Sequence, residues 1–407
     1  MAYLHVCAAG FCVCDMHIKR FGSSDPISPW RLRLLLALLM VAVLGLAFHS
    51  PTPPILRLPM PYACQPFPPA GLHELIALAR ELGYLGFQLA WVNTQGERGA
   101  CTAGWAQTGV WPQRLTSGHR LRYASLTKLF TATVAMQLIA EQRLGLTDRL
   151  VERLEIAAPY RDPNIAEIRV AHLLEHTAGF DRNLTPDPML QADPWCPQRL
   201  DTLANLQLDH TPGEVYAYAN LGYCLLGAII ESIEQKPLEQ VFAQRLFEPA
   251  QVSDIRSAIT GKLHDDEPIY EIDPAESTEN LLYHNYASSV ATGAFTGTAE
   301  NLRDFLVAVF RSPNSLLSLD AQVQMLRVNR PCDLSRWRTC HGYGLYAYRA
   351  SDGHLMYWRD GSLPGVTAFA ALFENESIIV FLANSRRRHW MPDHDRLGQW
   401  LYKWQSG

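Results

Sequence analysis

Apolar positions along the chain change period in a readable order. Leu72, Leu75, Ile76, Leu78, Ala79 and Leu82 recur at helical spacing, which predicts an amphipathic helix over 72–82. Phe87, Leu89 and Trp91 then alternate with Gln88 and Ala90 as in a strand. Gly96 marks a hairpin, and a second strand is expected near 100–106. From Leu126 to Ile139 nearly every position is apolar, which predicts a helix buried on all faces. Further helices are expected over about 164–176 and from Leu221 to Glu234. Near the end, Gly344–Tyr348, Leu355–Arg359, Val366–Leu372 and Ser377–Leu382 read as strands rich in β-branched and aromatic residues. A helix from about Asp393 to Trp404 closes the chain. Strands at both ends around a helical middle predict an α+β fold. Its antiparallel sheet would be assembled from both chain ends and flanked by helices, with an all-helical region beside it.

Two stretches lie outside this pattern. Leu34 to Phe48 is apolar without a break, and Arg31 and Arg33 precede it. A basic region followed by an apolar one reads as an export signal over 31–48. At 15 residues the run is short for a membrane span, which needs about 20, and Gly45 and Ala47 offer a small-residue cleavage site. Two forms are open: a cleaved signal peptide, or an uncleaved anchor that would tether the protein to the inner membrane. Either form puts the body outside the cytoplasm, in the periplasm. Residues 1–30 form a tail of unclear status, with Met16 as an alternative start. Residues 49–70 hold eight prolines and read as a stiff, extended linker, which leaves 71–407 as the body.

Composition narrows the function classes. The 407 residues are 48 % hydrophobic and 18 % charged, enough apolar material for a large core. The net charge of −5 argues against nucleic acid as a partner, and Arg386-Arg387-Arg388 reads as a solvated surface turn. Six cysteines follow the apolar run, an even number that suits disulfides in an exported body. Cys332 with Cys340 is the best pair and Cys64 with Cys101 a weaker one, while Cys224, inside an apolar run, reads as a buried free thiol.

Three short motifs carry chemistry. In Tyr123-Ala-Ser-Leu-Thr-Lys128, Ser125 and Lys128 are three apart at the entrance to the buried helix, so they share one face. A lysine among Leu126, Leu129 and Phe130 is disfavoured in its charged form and can take the serine proton. Tyr218 and Asn220 form a Y-x-N pattern just before the next apolar helix; a tyrosine hydroxyl can relay a proton and an asparagine amide can hold a carbonyl. Arg359-Asp360-Gly361-Ser362 ends a strand, whose edge would offer an N–H to an oxyanion beside that of Ser125, with Gly361 allowing close approach.

These motifs, in this order, resemble the serine β-lactamase and D-Ala-D-Ala-peptidase superfamily, in its class-C-like branch that also contains esterases. The stretches Val170–Phe180, Pro212–Gly227, Ala291–Leu302, Gly342–Leu345 and Leu382–Ser385 extend the likeness over roughly 75–400. The resemblance implies a serine hydrolase with Ser125 as nucleophile, Lys128 as base and Tyr218 as proton relay. It further implies Asn220 on the substrate side chain and the N–H groups of Ser125 and Ser362 as the oxyanion site. It implies a small-molecule substrate, a β-lactam or a peptide or ester, with no cofactor, no metal and no obligate protein partner. Arg359 departs from the Lys or His usual there. Arg could grip a substrate carboxylate with two N–H bonds, though Asp360 is placed to occupy it. His172-Leu-Leu-Glu175-His176 also fits an H-x-x-E-H zinc pattern, but the same segment matches the superfamily's HLLxHTSG stretch, where the histidines are structural. The alternatives to β-lactam or D-Ala-D-Ala-type hydrolysis are an acyl hydrolase such as a carboxylesterase, and a penicillin-binding sensor that does not turn over.

Overall fold

The computed structural model describes residues 30, 32–33, 35–36 and 59–406, except 110 and 253. Residues 30, 32–33 and 35–36 are helical and exposed, and belong to a unit separate from the body, Leu58–Gly407. The tail, most of the 34–48 run and the first linker prolines lie outside the described residues. Among the described residues no helix is long and apolar enough to cross a membrane.

The body is built on one antiparallel sheet. Its main strands are β1 (Tyr62–Gln65), β2 (Gly86–Val92), β3 (Arg98–Gln107), β4 (Cys340–His341), β5 (Tyr346–Arg349), β6 (Leu355–Leu363), β7 (Val366–Phe373) and β8 (Ile378–Ala383). They lie in the order β1-β3-β2-β8-β7-β6-β5-β4. The join between the two chain ends is β2 against β8, with Leu89 opposite Phe381. The sheet is therefore closed across nearly the whole length of the chain, as the two sets of alternating strands require.

Both faces of the sheet are covered, and β7 shows how. Phe369, Ala371 and Phe373 pack with Leu75 of α1 (Leu72–Glu81) and Leu397 and Leu401 of α5 (Met391–Ser406). Ala368, Ala370 and Leu372 face the other way, against the helical region. That region holds α2 (Lys128–Ala140), α3 (Asn220–Glu234) and α4 (Ala299–Phe310). A period of two thus serves two cores, which is why the strand reads as continuously apolar. In the second core Phe130 of α2 meets Phe242, Phe247, Phe295 and Phe305 edge-on, with centroids from 4.8 to 6.1 Å away. Edge-to-face pairs of this kind fix the helix that carries the candidate nucleophile.

Three local expectations are corrected. Residues 164–176 do not form one helix. A 3₁₀ turn, Pro163–Glu167, and a short helix, Val170–Leu174, are separated because the Ile168 carbonyl accepts the Leu150 N–H at 2.8 Å and Arg169 bridges to Arg149. Tyr62–Gln65, inside the proline-rich stretch, pairs with β3; Pro61 and Pro66 flank the strand and leave its N–H groups free to bond. Cys224 is not a free thiol: it is bonded to Cys196, alongside Cys64–Cys101 and Cys332–Cys340. The apolar company of Cys224 on α3 comes from burial of the whole bridge, and a spacing of 28 residues gave no cue. A non-reducing peptide map should recover Cys196 joined to Cys224; alkylation of Cys224 without reductant would contradict the fold here.

Candidate active site

Ser125 lies in a 3₁₀ turn, Ala124–Thr127, that leads directly into α2. Its neighbours Ala124 and Leu126 are buried and Ser125 itself is half-open. Ala124 carries φ +46°, a left-handed conformation uncommon for a residue with a side chain. Gly361 explains how the turn is held. A Cβ there would sit 2.4 Å from the Tyr123 carbonyl and 2.9 Å from the Ser125 nitrogen, so only glycine lets β6 lie against the nucleophile's backbone. Ser362, next along β6, lines the same cleft as Ser125.

Lys128 is completely buried at the first turn of α2. Its ammonium donates to Asn220 Oδ1 at 2.7 Å, to the Thr292 carbonyl at 2.8 Å and to Ser125 Oγ at 3.3 Å. Three N–H bonds meet three acceptors, and none of the acceptors is charged. Tyr218 OH lies 2.8 Å from Ser125 Oγ and 3.4 Å from Asn220 Oδ1. Asn220 begins α3, and the carboxylate of Asp187, from a distant loop, accepts its N–H at 2.6 Å. Asp187 therefore pins the helix end that carries Asn220. Ser125, Lys128, Tyr218 and Asn220 are thus brought together as one cluster.

Arg359 belongs to this cluster in a way the sequence did not suggest. It is 1 % exposed and sits behind the tyrosine rather than in the cleft. Its Nε donates to the Ser125 carbonyl at 3.0 Å, one Nη to the Gly344 carbonyl at 2.9 Å and to His341 Nε2 at 3.1 Å, and the other Nη to Tyr218 OH at 3.3 Å. Four of its five N–H groups are committed to the protein and the side chain is buried, so its expected place on a substrate carboxylate is corrected. Asp360 does not occupy it either. Alternation on β6 sends Asp360 to the opposite face, where it binds Arg338 at 2.7 Å and His394 at 3.1 Å. Burial alone would raise the Asp360 carboxyl, but those two partners outweigh it and hold it well below the usual range.

The electrostatics follow from this burial. Desolvation lowers Lys128 from 10.5 to about 8, against the attraction of Tyr218 and with the help of Arg359. That is a penalty on the charged form on the order of 3 kcal/mol. Burial would push the Tyr218 phenol up, but Lys128, Arg359 and Arg182 overcome it and bring it to about 8. Lys128 and Tyr218 titrate as a coupled pair sharing protons. His176 and His341 lie in the same wall and are held well below their ordinary value, by burial first and then by neighbouring positive groups.

The H-x-x-E-H side chains go to separate partners. His172 Nδ1 accepts the Arg169 N–H, Glu175 accepts from Asn329, and the His176 ring lies 4.4 Å from the Tyr218 ring. Among the described residues no group of three His, Cys, Asp or Glu is arranged to hold a metal. The cleft itself is about 380 Å³ and adds residues that sequence reasoning missed: Arg182, Glu276, His284, Arg386 and Trp390. Arg386 is not part of a solvated turn; it is buried and paired with Glu276. Thr292 was within reach of the sequence, inside the Ala291–Phe295 stretch, but its role is played by a carbonyl that no side chain announces.

A serine flanked by a buried lysine and a tyrosine, on a sheet made from both chain ends, defines the serine β-lactamase and transpeptidase class. The chain belongs to the Beta-lactamase family, whose family model matches residues 76–402. It is 34 % identical over 328 residues to the probable fimbrial assembly protein FimD, serogroup H1, of Dichelobacter nodosus, covering 77 % of this chain and 78 % of that one. It is 30 % identical over 143 residues to penicillin-binding protein 4 of Amycolatopsis lactamdurans, covering 35 % of this chain and 36 % of that one. The fold is shared with a penicillin-binding protein from Bacillus halodurans, at TM-score 0.65 and 22 % identity, covering 80 % of this chain and 99 % of that one. It is shared also with a D-amino acid amidase from Ochrobactrum anthropi SV3, at TM-score 0.64 and 21 % identity, covering 79 % of this chain and 96 % of that one.

The coupled pair makes a signed prediction. It must lose a proton before it can accept that of Ser125, so acylation by an activated substrate should rise as pH passes through about 8. Arg359→Gln removes a cation that lowers both groups, and should move the midpoint upward, whereas Arg359→Lys should leave it near the parent value. Lys128→Ala should slow acylation by about 10²–10⁴. A pH–rate profile that is flat from 6 to 10, or unmoved by Arg359→Gln, would contradict this electrostatic account.

Proposed function

We propose that this protein is a serine acyl hydrolase that opens the amide of a β-lactam or a D-Ala-D-Ala-type peptide through an acyl-Ser125 intermediate. The observation that carries the reading is the position of Ser125 Oγ, 2.8 Å from Tyr218 OH and 3.3 Å from Lys128 Nζ, with both neighbours near 8. The Lys128–Tyr218 pair takes the hydroxyl proton as Oγ attacks the carbonyl carbon. The oxyanion forms beside the N–H groups of Ser125 and Ser362. The carbon–nitrogen bond then breaks, and Tyr218 passes the proton to the leaving nitrogen. Water attacks the acyl ester by the reverse route, returning the proton to Oγ.

An amine is a poor leaving group unless protonated, and the Tyr218 hydroxyl 2.8 Å from Ser125 Oγ supports such a protonation, which favours an amide over an ester. Asn220 Oδ1 is held by Lys128, which leaves its NH₂ group for a substrate carbonyl. Likeness to penicillin-binding proteins supports the substrate class. We further propose that the body works outside the cytoplasm, which its three disulfides support. The likeness to fimbrial assembly proteins favours a second reading, in which the same acyl transfer serves assembly of a surface fibre.

Mass spectrometry of the full-length protein mixed with a penicillin, a cephalosporin and a carbapenem tests the reading. An adduct on Ser125 that forms and clears as drug is consumed is the expected result, with none on Ser125→Ala. An adduct that persists would indicate a slow peptidase or a sensor. No adduct, with ester hydrolysis that Ser125→Ala abolishes, would replace the amide reading with an esterase. Activity that survives Ser125→Ala would overturn acyl-serine chemistry altogether.

A further inference from the structure

Two arginines line the cleft beside Ser125, and they are not equivalent. Arg386 is neutralised by Glu276. Arg182 has no carboxylate partner among the described residues, although acidic side chains lie close to it in sequence. Asp181 is bound to His210 at 3.1 Å, and Asp187 is spent on the backbone N–H groups of Asn220 and Met189. The remaining positive groups of the site cannot serve a ligand. Lys128 is buried on three neutral acceptors, and Arg359 is committed to Ser125, His341, Gly344 and Tyr218. His284, at the cleft wall, is lowered to about 4, by burial first and then by Arg122 and Lys128, so it stays neutral.

The Arg182 guanidinium carbon sits over the Tyr218 ring, 4.5 Å from its centroid. This cation–π contact holds the guanidinium at the cleft while leaving its N–H donors for a planar anion. Ser362 lines the same cleft, and its buried hydroxyl has no hydrogen-bond partner in the protein. Tyr218 protonates the leaving nitrogen in the reading above, so a group over its ring lies on the leaving-group side of the scissile bond.

We propose that Arg182 is the residue that selects substrates bearing a carboxylate on the leaving-group side, the task that Arg359 cannot perform from its buried position. This rests on the acyl-serine reading for which side of the bond is meant, but binding can be measured without chemistry. The probes are N-acetyl-D-Ala-D-Ala and its C-terminal amide, titrated calorimetrically into the full-length Ser125→Ala protein. The carboxylate should bind at least tenfold more tightly than the amide, with a preference that weakens as salt is raised. Adding Arg182→Gln should erase the preference, and Arg182→Lys should keep part of it.

The ratio between the two peptides is the readout. Arg182→Gln also removes a cation from Tyr218, but that change acts on both peptides alike. Equal binding of the two peptides, binding of neither, or a preference that survives Arg182→Gln would overturn the proposal. Failure of the acyl-serine reading would show separately, as the missing Ser125 adduct in the otherwise unmodified protein.

Discussion

The site depends on two cations buried with no carboxylate in hydrogen-bond contact. Lys128 and Arg359 are both almost wholly removed from solvent, and every hydrogen-bond acceptor they meet is a carbonyl, a hydroxyl, an amide oxygen or an imidazole nitrogen. Taking such charges out of water costs several kcal/mol each. A carboxylate in contact would offset that cost and fix both protons in place. Carbonyl dipoles offset only part of it, and the remainder appears as acidity: a lysine that gives up its proton readily, beside a tyrosine that gives up its own. The chemistry proposed for Ser125 is a consequence of that imbalance.

The fold supplies the conditions for it. Pairing β2 with β8 brings β6 over the turn that carries Ser125, and the missing side chain of Gly361 lets the two backbones meet. Arg359 then ties the strand to the turn through the Ser125 carbonyl. On the other side, Asp187 fixes the start of α3 and with it the Asn220 oxygen that Lys128 needs. Strand β6, the Ser125 turn and helices α2 and α3 thus each bring a polar group to the cluster. Asp360, the acid next to Arg359, is kept on the far face of β6 by Arg338 and His394, which holds its charge away from Tyr218.

Much of this was legible in the sequence, for identifiable reasons. Strands such as Val366–Phe373 and the helix after Ser125 follow from local periodicity, and the S-x-x-K and Y-x-N spacings place their side chains on helix ends. What escaped the sequence depends on partners far along the chain. The helix expected over 164–176 is broken by backbone bonds to residues 149 and 150. Cys224 meets Cys196 from a loop without periodic signal. Arg359 was read as a grip for a substrate carboxylate because its burial is set by His341 and Gly344, and Asp187 and Arg182 lie in a stretch between the motifs.

The most direct test is to observe the Tyr218 proton. Labelling the tyrosines at the ¹³Cζ position and comparing the protein with Tyr218→Phe assigns the resonance, which is then followed from pH 6 to 11. The account predicts that it moves with a midpoint near 8, well before an ordinary phenol. A Tyr218 resonance that stays fixed until pH 10 or beyond would mean that the buried cations do not set the chemistry of this site.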